Sequence, residues 1–322
     1  METFINVYIR IMYGKSTKKY SIFVLMDELD YIIDLYDDAD AAVTAAVDRF
    51  FVEKGSAAVS ALNARWRNEL DPVRKEQLAG ILSRQTGQFV LRRLSEIRTQ
   101  SEQGQECSLL EAGYLLSALF NPAVSREEYN AAVMPAVIAV MAETSDDKTA
   151  VENLGILNHI FYKRYGFTAT DPFGMTEDNT LIMNVLGGRK GNPIALSMVY
   201  FIIAQGAGLP IYPLCFKGGF VPVYEENGRI LFNINVFHQG EAFFENKISG
   251  MVKTQAAAMG LDIDIGEPEV KKDHSIIVMY LEYVQMLYAN GGGRTVQLLI
   301  DDAIAALGSE RFLTLEQDED EW

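Results

Sequence analysis

The sequence predicts an α+β protein, mainly helical, with one small antiparallel sheet late in the chain. Three observations carry this expectation. From Asp27 to about Glu143 apolar residues recur at three- and four-residue spacing, the signature of amphipathic helices. One block, "IYPLCFKGGFVPVYEENGRILFNINVF" (211–237), reads as strands on either side of Asn227-Gly228, the dipeptide that favours a two-residue hairpin turn. Past Gly240 the helical spacing returns.

The opening 26 residues differ in texture from the rest of the chain, since Arg10 and the Lys15–Lys19 cluster interrupt their apolar patches. Either Met26 is the true start and residues 1–26 are a poorly ordered leader, or the segment is an edge strand or short helix packed on the body. Residues 27–145 form a helical region. Its first helices are broken at "DDAD" and "KGSA", where Asp38 or Asp40 can cap a helix and Gly55 can end one. Such a pair resembles a HEAT-type hairpin, which must stack on neighbours to bury its apolar faces. "DPVRKEQLAGILSRQTGQFVLRRLSEI" (71–97) predicts two further helices. The next begins at Ser108, with Glu111 at capping-box spacing, and stops at Pro122; another begins at Ser125.

Residues 146–265 change character. A helix over 149–165 ends at Gly166, and a loop leads to a short helix at "TLIMNVL". Then "GGRKGNPIAL" (187–196) raises the question of a phosphate cradle. A Walker loop needs glycine-lysine followed by Ser or Thr, and this order is absent. Arg189 and Lys190 beside a helix N-terminus could hold an anion, but a tight turn beside a buried helix accounts for the glycines better. Asn192 is a good N-cap and Pro193 suits the first helical turn. The helix they open is apolar nearly all round, as a buried central helix is. After the sheet, "AFFENKISGMVKTQAAAM" (242–259) predicts a helix, and residues 266–322 predict a helical pair and an acidic tail, "EQDEDEW".

Composition narrows the function. The chain has 322 residues, 49% apolar and 22% charged, with a net charge of −16. That charge argues against nucleic acid and anionic membrane surfaces as partners. No apolar run reaches the ~20 residues that span a bilayer. Cys107 and Cys215 are the two cysteines, far apart, so neither a disulfide framework nor a zinc site is indicated and a reducing cytoplasm fits. The three histidines show no metal-binding spacing, and no cofactor is expected.

"LNHIFYKRYGF", "VLGGRKGNPIALSMVYFIIAQGAGLPIYPLCFKGGF" and "NINVFHQG" resemble the transglutaminase-like core of the SirB-type bacterial proteins, with related segments in some F-box proteins. "LLEAGYLLSALFNPAVSREEY" is similar to that family's helical stretch upstream of the core. In catalytic transglutaminase-like cores the resemblance implies a nucleophilic cysteine at the start of the buried helix, a histidine on a following strand and an acid on the next. Here these positions fall on Pro193, Gly219 and Asn235. Proline at the first agrees with the SirB-type branch and departs from the enzymes. Nucleophile and base are both missing, and Asn235 has no histidine to orient.

Other residues offer substitutes. Ser197 lies one turn after Pro193, though a hydroxyl bonded to the preceding turn explains it as well. Cys215 sits in an apolar strand run, where cysteine acts as a small buried hydrophobe; a Cys215–His238 dyad would need both side chains on one side of the sheet. His159, amid apolar neighbours, reads as a hydrogen-bonded core residue. The expectation is therefore a non-catalytic, cytoplasmic transglutaminase-like protein. It would bind a protein or peptide in a groove lined by Asn192, Pro193, Ser197, Gly219, Asn235 and His238. The alternatives are a cysteine hydrolase or acyltransferase using Cys215 and His238, and a helical scaffold.

Overall fold

The structure is a computed structural model that describes residues 29–36, 41–171, 174–216, 218–244, 267–289, 293–308 and 312. It has two compact units, one up to Val90 together with Asn121–Asn130, the other made of Leu91–Phe120 and the chain from Ala131.

In the first unit, a helical segment over 29–34 precedes α1 (Ala41–Lys54) and α2 (Ser56–Asn68). Gly55 separates them with φ 56°, a left-handed turn for which glycine has no Cβ penalty. Ala58, Leu62 and Leu78 have no exposed surface and form the middle of this unit. Glu128 joins the 121–130 segment to α2. Its carboxylate accepts from Arg67 Nη1 and Nη2 at 2.7 and 2.6 Å, and from the Ser125 backbone N–H at 2.9 Å. Arg67 is the first cause that holds its pKa down, at about 2. The Ser125 hydroxyl accepts from the Glu128 N–H at 3.1 Å in return, which completes a capping box.

α3 (Pro72–Glu102) is one helix of 31 residues, where the sequence predicts two. No proline interrupts it, and Gly80 and Gly87 each cost only about 1 kcal/mol relative to alanine, too little to break a helix held by tertiary contacts.

The second unit is organised around α9. In chain order it contains α4 (Leu109–Phe120), the part of α5 (Arg126–Glu143) from Ala131, α6 (Ala150–Asn158) and a π-helical turn, His159–Arg164. β1 (Thr168–Ala169), α7 (Glu177–Thr180), α8 (Ile182–Gly188), β2 (Lys190–Gly191) and α9 (Pro193–Gly206) come next. Every α9 residue from Ala195 to Ala204 is buried, so the helix is apolar on all faces because each face has a neighbour. It packs on α4, α8 and the sheet. Gly206 is its close approach to α5: a Cβ there would lie 3.1 Å from Val137 Cγ2.

The sheet consists of β3 (Ile211–Phe216), β4 (Gly219–Glu226), β5 (Arg229–Asn235), β6 (Glu241–Phe243) and β7 (Glu269–Val270), in the order β6-β5-β4-β3-β7 with every pair antiparallel. Asn227 and Gly228 join β4 to β5 with φ 54° and 75°, both positive as a type I′ turn requires. Residues 241–243 are a strand where the sequence suggests the start of a helix; their alternation is too short to register as a period. That expected helix from Glu245 on, the 1–26 leader, the caps Asp38 and Asp40 and the acidic tail lie outside the described residues. α10 (Ser275–Ala289) and α11 (Arg294–Ala306) form the expected C-terminal pair. Among the described residues no helix is long and apolar enough to cross a membrane.

Candidate functional site

The start of α9 is fixed by a buried polar network. Asn192 has no exposed surface. Its Oδ1 accepts from the Ala195 N–H at 2.9 Å, and its Nδ2 donates to Thr180 Oγ1 at 2.8 Å. Thr180 in turn donates to Asn179 Oδ1 at 3.0 Å, and the Asn192 N–H reaches the Asn179 carbonyl at 2.8 Å. Tyr280 Oη closes the set by donating to the Thr180 carbonyl at 2.8 Å. The glycine-rich loop is thus a structural turn. The helix end that could cradle an anion is capped by its own asparagine, and Pro193 has no N–H to offer. Gly191 explains one of the glycines: a Cβ there would stand 3.1 Å from the Leu196 backbone nitrogen and 3.0 Å from Val185 Cγ1.

Ser197 is buried and its hydroxyl donates to the Pro193 carbonyl at 2.7 Å, one turn back. It is a helix-packing hydroxyl, with no histidine bonded to it. Gly219 opens β4 and Asn235 ends β5. Because these strands run antiparallel through a tight hairpin, the two residues lie at the same end of the sheet. A Cβ on Gly219 would meet only the Phe216 ring, at 3.4 Å, so the backbone admits a side chain that the sequence withholds. Asn235 Oδ1 is occupied locally: it accepts from the His238 N–H at 3.1 Å and caps the turn Val236–His238. That turn packs on α9 and on β1. No hydrogen bond among the described residues joins Gly219 or Asn235 to the first turn of α9.

Cys215 is 5% exposed in β3. Burial, then the nearby Asp273, pushes its thiol up to about 12. Roughly one thiol in 10⁵ is ionised at neutral pH with such a value, the opposite of an activated nucleophile. His238 is exposed two strands away, on the turn after β5, its ring edge-on to Phe237 at 5.4 Å, and no hydrogen bond links it to Cys215. Cys107 is likewise raised to about 12, first by burial and then by Asp273. His159 departs from expectation. It is exposed rather than a core residue, and lines an open basin of about 380 Å³ with Glu143, Lys148, Glu152, Gly155 and Ile156. It lies one and two turns beyond the exposed Gly155 and Glu152, on the outward face of α6, while its apolar neighbours Leu157, Ile160 and Phe161 are buried. Among the described residues no group of three or more His, Cys, Asp or Glu is placed to hold a metal ion.

One residue of this region carried no signal in the sequence. Asn158, at the end of α6, accepts from Tyr200 Oη at 2.7 Å and donates to the Gly240 carbonyl at 2.8 Å. It therefore ties the middle of α9 to the turn after Asn235. Tyr162 Oη, presented by the π turn, donates to the Val236 carbonyl at 2.8 Å and pins the same turn. Phe161 stacks on Phe167 at 4.3 Å and meets Tyr200 edge-on at 5.1 Å, filling the space beneath.

These elements coincide with what comparison with known proteins finds. A stretch of 90 residues is 28% identical to "UPF0162 protein PM0557" of Pasteurella multocida (strain Pm70), covering 28% of this chain. The chain spans about a third (34%) of that curated relative's length. No solved structure matches. Residues 127–269, which hold α9, the sheet and the turn after Asn235, match the family model described as "Transglutaminase-like superfamily", and this segment is a transglutaminase-like domain.

Proposed function

We propose that the domain is a non-catalytic, SirB-type member of that superfamily that binds a protein or peptide segment beside α9 in the cytoplasm. One observation carries the reading. Where a thiolate would stand, Pro193 occupies the first position of α9, and the nearest hydroxyl, on Ser197, is committed to the Pro193 carbonyl. Gly219 leaves the place of the base without a side chain. The relocated-hydrolase reading needs an activated thiol, whereas burial raises Cys215 to about 12. What is retained is a rigid frame: the buried α9, capped at Asn192, supports a turn whose Phe237 is 42% exposed.

Site-specific photo-crosslinking separates this from the helical-scaffold reading. A photoreactive phenylalanine analogue replaces Phe237 in one protein and Val52, 55% exposed on α1, in another. The expected result is polypeptide adducts from Phe237. Adducts from Val52 alone would assign binding to the helical unit instead.

A further inference from the structure

Arg189 ends α8 with φ 58°, in the left-handed region. That position after a helix usually falls to glycine, because an L side chain is strained there. Gly187 and Gly188 stand immediately before it, so the chain holds a side chain where the backbone favours none. The side chain is held in place. Its guanidinium carbon lies 4.7 Å from the centroid of the Phe167 ring and 5.6 Å from that of Tyr165. No carboxylate among the described residues pairs with it; burial and the Tyr165 phenol are what act on its charge. Nη1 is closed off without an acceptor, while Nε and Nη2 are not.

The surroundings repeat the pattern. Lys190 is exposed, paired by backbone to Thr168 in β1, and β1 packs on the turn Val236–His238. Lys163 Nζ donates to Gln239 Oε1 at 2.7 Å, just past that turn, and has no acid beside it among the described residues. Arg164, by contrast, is paired with Glu143 at 2.7 Å. Among the described residues, Arg189, Lys190 and Lys163 thus have no carboxylate partner and stand on or next to elements that meet one turn, in a chain whose net charge is −16.

We propose that Arg189 anchors a carboxylate-bearing peptide segment along β1 and the turn Val236–His238, with Lys163 and Lys190 flanking it. The inference rests on the peptide-binding reading and supplies the chemistry of the partner. A guanidinium clamped on aromatic faces presents a planar fork, which matches a carboxylate with two parallel hydrogen bonds. The exposed Phe237 ring gives an adjoining apolar residue of the segment a surface to cover. A long polyanion is disfavoured, since the overall negative charge repels it at a distance while only these few cations attract it nearby.

Fluorescence anisotropy with three labelled probes tests this on the full chain: a short end-blocked peptide with one Glu among leucines, its Gln-for-Glu counterpart, and a long oligothymidylate. The Glu peptide is expected to bind, and Arg189→Gly to weaken it by about tenfold or more, the loss of one charge-assisted bidentate contact. Arg189→Gly also relieves the left-handed strain, so thermal stability should hold or rise, which separates a binding role from a structural one. Arg189→Lys, which keeps charge but loses the fork, should fall between. Equal binding of the Glu and Gln peptides would overturn the anchor while leaving a peptide-binding cleft. Preference for the oligothymidylate, Glu binding unchanged in Arg189→Gly, or no binding of the Glu peptide would each overturn it as well; the crosslinks from Phe237 judge the broader reading independently.

Discussion

Gly240→Ala is expected to destabilise the transglutaminase-like domain by about 3–5 kcal/mol, whereas Gly228→Ala costs about 1 kcal/mol. Both glycines have positive φ, 74° and 75°. At Gly228 an added Cβ meets open space, so the cost is the left-handed backbone alone. At Gly240 the Cβ would fall 1.9 Å from Asn158 Oδ1, a position no real atom can share. Asn158 must then leave, and with it go the hydrogen bonds from Tyr200 Oη and to the Gly240 carbonyl. The Tyr200 hydroxyl, on a side chain with no exposed surface, is left without an acceptor. Chemical denaturation of the two variants gives the difference directly. Hydrogen exchange should show the extra loss at α9 and at the turn Val236–His238. Equal costs at the two glycines would mean that Asn158 is free to move, and that the turn is not pinned to α9.

The second large effect is at Asn192. Asn192→Ala removes the cap of α9 and the donor to Thr180 at a site with no exposed surface, so about 2–4 kcal/mol is expected. Asn192→Ser keeps a capping oxygen but cannot reach Thr180, and should recover about half. Hydrogen exchange of the α9 amides, faster in Ala than in Ser, checks the order. Equal exchange in the two variants would mean that the serine oxygen restores nothing, and that the cap contributes little beside the bond to Thr180.

The features legible in the sequence are those that chemistry writes locally. Asn227-Gly228 announces a hairpin because both residues tolerate positive φ. Asn192-Pro193 announces a helix start because one supplies the capping oxygen and the other lacks the N–H that would be orphaned. Gly166, with φ 73°, closes the helical segment before it in the same way. Features set by distant partners are silent in the text. Asn158 and Gly240 are 82 positions apart, and neither residue type implies the other. The π turn His159–Arg164 has no compositional mark, and His159 stands on the surface where its apolar neighbours in sequence suggest a core position. β6 and β7, three and two residues long, are made by the edges they pair with rather than by propensity. Of the candidate site, the residue types at Pro193, Gly219 and Asn235 were readable. That Asn235 Oδ1 is spent on the His238 N–H was not, because a turn's internal hydrogen bond depends on its three-dimensional course.

The central claim is that this fold lacks an activated thiol. Its most direct measurement is the rate at which iodoacetamide labels Cys215 in the native protein at neutral pH, resolved by peptide mapping. With the thiol raised to about 12, ionisation is lower than that of an ordinary cysteine by on the order of a thousandfold. Slow native labelling, a large acceleration on denaturation and no change in His238→Ala are the predicted result. Rapid labelling of Cys215 in the folded protein, abolished by His238→Ala, would contradict it and return the domain to the thiol enzymes.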